Sequence, residues 1–330
     1  MSEKITKTNF ITDDKTNKVF ISKLIDSEDG NLDSNVRSDL KNKILEFGSK
    51  KDKYDFLINT KDVWTRDYMP IQLTKEVFLG YTYKPDYLNK YPKTITNWQL
   101  QNVHPEKKKN FDFQVVQMPI ILDGGNVVKA IVNDKPCFIM CDKVLTENNV
   151  SEKSFRDWWI KWWKDNFNKT EMGLVLLPWD KKNDPIGHAD GMVRYVGENC
   201  VLMTNYLDFD KKYKDDFGCK MRRILEKAGF RVETIEFWKN LKDDSHFNDL
   251  FNESWCYINF LQVGSNVLVP KLSYSPLNEL AKHQIEKAFG QTVTVELIDV
   301  DMTEIVKDMN EEKNSGGALN CLTWTIQTND

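Results

Sequence analysis

Asn314-Ser315-Gly316-Gly317-Ala318-Leu319-Asn320-Cys321-Leu322-Thr323-Trp324-Thr325-Ile326 is the stretch around which the chain is organised. A turn of small residues runs into a cysteine, then into an alternation of Leu322, Trp324 and Ile326 with the period of a strand. Glycine carries no Cβ, so such a turn can bring backbone close to a ligand. A thiol placed where the turn enters a strand is held in one position. One cysteine alone would more often be a buried edge-strand residue, because free Cys is among the most buried residue types. The stretch gains weight from two other facts: it is only one strand of a unit, and matching polar motifs occur upstream.

Four earlier polar motifs each open onto a β-hairpin. Trp64-Thr65-Arg66-Asp67-Tyr68-Met69-Pro70 precedes strands over 71–73 and 77–79. Asp123-Gly124-Gly125-Asn126 precedes strands over 127–132 and 137–140. Gly187-His188-Ala189-Asp190-Gly191 leads into 192–196 and 200–203, and Asn252-Glu253-Ser254-Trp255 into 257–263 and 267–269. After the hairpins come helices and then further strands. A helix is expected over 151–168, where Phe155, Trp158, Trp159, Trp162, Trp163 and Phe167 form one apolar stripe. A membrane-surface or ligand-stacking face is the alternative for this stripe, but its spacing suits core packing better. Helices are also expected over 220–228, with Gly229 as C-cap, and from Ser275 as N-cap through Pro276 to Phe289, stopped by Gly290. Strands follow over 115–122, 174–177, 231–237 and 293–300. Residues 84–110 read as a loop or lid, and 302–315 as a charged connection.

The motifs start near 66, 123, 188, 255 and 316, a repeat of 57 to 67 residues. Self-similarity of this kind signals a repeat architecture. The last unit stops after one strand. Its missing strand, helix and strand are what residues 19–58 supply: a strand over 19–24, a helix through Val36, Leu40, Ile44 and Phe47 with Gly48 as C-cap, and a strand over 55–58. The fold expected is therefore α/β: a closed ring of five ββαβ units with pseudo-fivefold symmetry, sealed by the C-terminal strand beside the N-terminal one. Closure protects sheet edges. In such a ring the motifs converge on the axis and gather Asp67, Asp123, His188, Asp190 and Cys321.

Bulk properties bound the function. The 330 residues are 40% hydrophobic and 29% charged, with net charge -4, the profile of a globular chain with no pull towards nucleic acid. Residues 1–16 are polar and expected to be flexible, leaving 17–330 as a single domain. The N-terminus shows no apolar targeting segment, and no run approaches the ~20 apolar residues of a membrane span. Six cysteines are too few for a disulfide scaffold, so a reducing cytoplasm is expected. Cys137 and Cys141 lack a second ligand pair, so no metal is expected, and no cofactor. Enzymes of this size are commonly homodimers, which sets the expectation for assembly.

A cysteine, a histidine and three carboxylates around one funnel suggest nucleophilic catalysis on a cationic substrate. Two carboxylates facing a planar cation can bind it through paired charge-assisted hydrogen bonds, a geometry suited to guanidinium. A histidine beside them can act as acid for a leaving amine and then as base for water. A purely structural cluster is disfavoured, because each carboxylate buried without a cation is costly.

The motifs TRDYMP, DGGNVV, GHADG and the terminal Gly-Gly-x-x-x-Cys resemble those of the agmatine deiminase and bacterial peptidyl-arginine deiminase family, enzymes with a five-bladed α/β propeller (pentein) fold. The likeness covers roughly residues 55–330 and includes Tyr257-Ile258-Asn259-Phe260 and Val267-Leu268-Val269-Pro270. It implies that Cys321 is the nucleophile, that His188 activates water, that Asp67 and Asp190 hold the guanidinium, and that Asp123 pairs with His188. Trp64 and Asn126 would line the substrate channel. Arg66 would do so or serve structure, with the two readings even. The substrate implied is a small-molecule or peptide guanidinium, with agmatine deimination and polyamine biosynthesis foremost. Three features depart from the agmatine deiminase pattern: Asn320 stands where a histidine usually precedes the cysteine, Asp184-Pro185-Ile186 replaces an acidic run before the histidine motif, and the N-terminal motif and a helix in the second unit are not found. Free arginine and peptidyl arginine therefore stay open as substrates. An amidinotransferase and a catalytically silent guanidinium-binding pentein remain as alternatives. A papain-like protease would place its cysteine at the start of a helix, not of a strand.

Overall fold

The computed structural model describes residues 3–26, 34–49, 55–60, 62–85, 103, 113–307 and 317–328. Among them, five three-stranded sheets repeat one topology. One sheet is made of β1 (Lys18–Ser22), β2 (Phe56–Leu57) and the last strand, β15 (Thr323–Ile326). The next contains β3 (Ile71–Gln72), β4 (Val77–Thr82) and β5 (Gln114–Ile121). Then come β6 (Val128–Val132), β7 (Lys135–Cys141) and β8 (Gly173–Leu177), followed by β9 (Val193–Gly197), β10 (Cys200–Met203) and β11 (Arg231–Thr234). The remaining sheet holds β12 (Leu261–Val263), β13 (Asn266–Lys271) and β14 (Thr294–Asp301).

In every sheet an antiparallel pair is joined by a parallel third strand. Short turns suffice for the antiparallel pairs, whereas a parallel neighbour needs a crossover, usually a helix. Helix α1 (Ser34–Ser49) lies between β1 and β2, and the short α2 (Thr65–Tyr68) precedes β3. Helices α3 (Lys143–Glu147) and α4 (Glu152–Asn166) connect β7 to β8. Helices α5 (Tyr206–Tyr213) and α6 (Phe217–Lys227) connect β10 to β11, and α7 (Ser275–Phe289) connects β13 to β14. The crossover between β4 and β5, where a loop or lid was expected over 84–110, lies almost wholly outside the described residues.

The two ends of the chain meet in one sheet, as the interrupted C-terminal unit requires. Lys18 pairs with Ile326, Phe20 with Trp324 and Ile21 with Thr323. Trp324 fixes this register from the core: its ring meets Phe20 at 5.4 Å and its indole N–H donates to the Pro70 carbonyl at 2.8 Å. The aromatic stripe of α4 is core. Phe155, Trp159, Trp162 and Trp163 are buried, and the Trp159 indole donates to the Met172 carbonyl. Each such burial contributes about 1.5–3 kcal/mol. Ser151 starts the helix by accepting the Ser154 N–H.

Several local expectations need correction. Residues 3–16 are packed, not frayed: Ile5, Phe10 and Ile11 are buried. Polar contacts tie this arm and its neighbour Asn17 to all five units. The Ile5 N–H donates to Thr170 Oγ1, the Ile11 N–H to the Leu73 carbonyl, and the Asn17 N–H to the Ile326 carbonyl. Asp13 receives Arg194 at 2.7 Å, and the Thr16 hydroxyl reaches the Gln262 carbonyl. Asn252–Ile258 is a run of 3-10 turns, so Tyr257 and Ile258 are not strand residues. Ser254 holds that run by donating to the Phe251 carbonyl while accepting from Asn205. Ser275 is the first residue of α7, not its cap. Helix α1 runs through Gly48, where a Cβ would stand 2.6 Å from that of Val19; the glycine permits helix and strand to close together.

Candidate active site

The five polar segments lie together. Residues 65–68 touch 124–126, which touch 189–191, which touch 252–258. The C-terminal turn completes the set, because the Asn320 N–H donates to the Asn259 carbonyl and the Arg66 N–H to the Cys321 carbonyl. Thr65 Oγ1 adds a bond to the Leu322 carbonyl at 2.9 Å. Two glycines make the closeness possible. A Cβ on Gly125 would fall 2.6 Å from both Asp67 Oδ1 and His188 Nδ1, and one on Gly317 would fall 2.4 Å from the Trp64 ring. In place of a side chain, Gly125 gives Asp67 Oδ1 its backbone N–H at 3.1 Å.

Cys321 sits in the turn before β15, buried, with Sγ 3.8 Å from Asp190 Oδ2. His188 lies between two carboxylates: Nε2 is 3.0 Å from Asp123 Oδ2 and Nδ1 is 3.7 Å from Asp67 Oδ1. Asn259 braces the turn that carries Cys321, its Oδ1 accepting the N–H groups of Asn320 and Cys321 at 3.1 and 3.2 Å. Its Nδ2 reaches the Asp190 carbonyl at 3.4 Å. Asp67, His188, Asp190, Cys321 and Trp64 all line one cavity of about 570 Å³, while Asp123 stands behind His188.

The buried charges are out of balance. Burial pushes Asp67 up to about 8, with Asp123, Asp190 and Asp62 adding to the rise and His188 opposing it. Burial would lower His188, but Asp67 and Asp123 outweigh it and hold the imidazole up at about 9. Burial, then Asp190 and Asp67, keep the Cys321 thiol well above its ordinary range. One side-chain oxygen of Asp123 and one of Asp190 have no hydrogen-bond partner among the described residues. Orphaned buried acceptors and an excess of carboxylate are the conditions under which a cationic hydrogen-bond donor is bound.

Residues 21–326 match the family of Porphyromonas-type peptidyl-arginine deiminases. The chain belongs to that family. Solved structures share this deiminase family's α/β pentein fold across the whole chain. The C. jejuni agmatine deiminase with substrate bound is 16% identical, with a TM-score of 0.64, covering 97% of this chain and 96% of that one. The Enterococcus faecalis agmatine deiminase is 14% identical, with a TM-score of 0.66 and full coverage of both chains. The N-terminal domain of a cyanobacterial arginine dihydrolase is 12% identical, with a TM-score of 0.51, covering 89% of this chain and 86% of that one. Among curated protein sequences no match is found. No helix among the described residues is long and apolar enough to cross a membrane.

Asn126, expected along the substrate channel, does not line the cavity, and neither does Arg66, for which channel and structural readings stood even. Asn126 spends its amide on the backbone of Cys141, accepting its N–H at 2.6 Å and donating to its carbonyl at 3.2 Å, which anchors the end of β7. Arg66 turns away from the thiol; its Nε donates to the Asn320 carbonyl at 3.3 Å and its guanidinium reaches Thr325 Oγ1 at 3.2 Å. Both are structural. Conversely, the pattern of motifs did not assign Asn259 a role in bracing the cysteine, nor Asn320 its bond to Asp190 at 2.6 Å. The available signal for Asn259 was a polar residue set between the apolar Ile258 and Phe260. Trp255, part of a motif but given no role in a channel, also lines the cavity, as do the α5 residues Tyr206, Phe209 and Tyr213, which carried no motif.

Proposed function

We propose that the protein hydrolyses the guanidinium group of agmatine or a related arginine derivative to a ureido product and ammonia. The observation that carries this is the gathering of one thiol, one imidazole and the carboxylates Asp67 and Asp190 on a single cavity whose carboxylates outnumber its cationic side chains. A guanidinium placed there supplies planar N–H donors to both carboxylates. Its charge also offsets the carboxylates that keep Cys321 protonated, so the thiol gives up its proton to bulk water as the substrate seats.

The thiolate then attacks the guanidinium carbon, forming an S–C bond. The charged His188 gives a proton to the departing nitrogen, the C–N bond breaks, and ammonia leaves a thiouronium on Cys321. The neutral His188 next takes a proton from water, whose oxygen bonds to the same carbon. Breakage of the S–C bond regenerates the thiolate, and the proton left on the new C–O group passes to bulk water, releasing the neutral ureido product. Asp123 holds the imidazole and stabilises its charged form in both steps.

The cavity wall favours a positively charged tail over a free α-carboxylate. It carries Asp180, Asp184, Asp210 and Asp215 against one amine, Lys182. We further take the five sheets to be the blades of a closed ring, supported by the pairing of β15 with β1 and by the succession of contacts among the polar segments. The test is ammonia release from agmatine, free arginine and a blocked arginine peptide, with Cys321→Ala alongside. Release from agmatine above the other two, abolished by the substitution, supports the proposal. No release from any, with Cys321 inert to a haloacetamidine, refutes it.

A further inference from the structure

Asn320 occupies the position directly before the nucleophile, and nearly every polar group it owns is engaged. Its N–H donates to Asn259, and its carbonyl accepts from Arg66 Nε. Its side-chain Nδ2 donates to Asp190 Oδ2 at 2.6 Å, the oxygen that lies 3.8 Å from Cys321 Sγ. Asp190 Oδ1 is buried and has no partner among the described residues. The amide thus divides the carboxylate into one oxygen that is fixed and one that is free for a ligand. An acceptor already served by a short hydrogen bond also competes less for the thiol proton.

We infer that Asn320 is a positioning residue for cation recognition: it orients Asp190 so that Oδ1 faces the bound guanidinium, and it does so without titrating. The inference rests on the guanidinium reading given above. It follows from donor chemistry. A carboxylate held on one oxygen by a donor is restrained from rotating, whereas one with two free oxygens is fixed by nothing but its own rotamer. The titratable and charged groups around Asp190 are the Cys321 thiol beside it, Asp67 and His188 on the same cavity, and Arg66 and Arg194. These two arginines line a second small cavity with Asp190, Asp13 and Lys129.

The isosteric change Asn320→Asp tests this, because the introduced carboxyl has two states. Protonated, it donates to Asp190 Oδ2 as the amide does; ionised, it repels Asp190. The readout is the ratio of Cys321 alkylation rates with 2-chloroacetamidine, a cation, and iodoacetamide, which is neutral, followed from pH 5 to pH 9. A ratio cancels changes in thiolate fraction and needs no turnover. In Asn320→Asp the ratio is expected to match wild type at the acid end and to fall by about tenfold or more towards the alkaline end, the size of a lost charge-assisted hydrogen bond. Asn320→Leu, which deletes the donor and adds no charge, is expected to show the lowered ratio at every pH. A purely structural role would not produce recovery on acidification. A selective wild type with an Asn320→Asp ratio that is unchanged, or reduced equally at all pH, overturns the role of Asn320, as does an Asn320→Leu protein with the wild-type ratio. A wild type that does not distinguish the two probes overturns the guanidinium reading itself, and the role of Asn320 with it.

Discussion

Asp123→Asn is expected to lower the pKa of His188 while leaving the imidazole in place. In the native site burial works against the imidazolium, and Asp67 and Asp123 together hold it up at about 9. The bond from Nε2 to Asp123 Oδ2, at 3.0 Å, is the closer of the two carboxylate contacts. A hydrogen bond to a charged group contributes about 1.5–3 kcal/mol, which converts to a fall of roughly 1–2 pKa units. The same energy removed from the step that protonates the leaving nitrogen corresponds to a loss of roughly 10–150-fold in ammonia release. The assay is an NMR titration of the imidazole carbons. Only four histidines are present, and His188→Gln assigns the signal by deletion. A His188 pKa unchanged to within ~0.5 unit, less than ~1 kcal/mol by the same conversion, would falsify the assignment of Asp123 as the group that stabilises the imidazolium.

Gly125→Ala puts a methyl group 2.6 Å from both Asp67 Oδ1 and His188 Nδ1, so turnover should fall by about 100-fold, as misplacement of catalytic groups by an ångström does. Full activity in the alanine variant would show that the two groups can move apart without consequence. Stability should decline as pH rises from 6.5 to 9. His188 keeps its proton in the fold up to about 9 but loses it near 6.5 when unfolded, and Asp67, raised from 3.8 to about 8, adds a decline of its own that runs from pH 3.8 to about 8. The His188 contribution alone amounts to about 3 kcal/mol, fully present below pH 6.5 and lost as pH passes through the folded value. Urea midpoints that stay level or climb across this interval would contradict the argument, and His188→Gln should flatten the slope. Asp13→Asn leaves the buried Arg194 without its ion pair. The cost should be ~1–3 kcal/mol, below that of a fully buried pair because Asp13 keeps 24% of its side-chain exposure. A denaturant midpoint equal to wild type would mean that the arm contributes through its buried apolar side chains and backbone hydrogen bonds and not through this ion pair.

The repeat of hairpins and polar motifs was legible because strand alternation and glycine-rich turns are local signals. So were Cys321, His188 and the three aspartates, which occupy four motifs, His188 and Asp190 sharing one, and carry a chemistry that is costly to bury unused. The roles of Asn259 and Asn320 were not legible, since they consist of hydrogen bonds across 61 and 130 positions of sequence. Arg66 shows the same limit: adjacency to Asp67 says nothing about which way a long side chain turns. The N-terminal arm misled because Ile5, Phe10 and Ile11 follow neither helical nor strand spacing, so composition alone suggested solvent. Helix α5 was missed for a similar reason. Its sequence, YLDFDKKY, is short and half charged, and it presents only Tyr206, Phe209, Asp210 and Tyr213 to the cavity.

The sheet that joins both ends of the chain imposes an order on biosynthesis. Strand β1 leaves the ribosome roughly 300 residues before Ile326, the partner of Lys18, has been added. At about 5–20 residues per second, β1 waits some 15–60 s with an open edge, the kind of surface that invites pairing with other chains. The segments that carry Asp67, Asp123, His188 and Asp190 are made during that delay, and the thiol comes after all of them. A nascent chain therefore holds the anionic part of the cluster before it holds the thiol, which arrives in the turn that leads into the strand sealing the sheet.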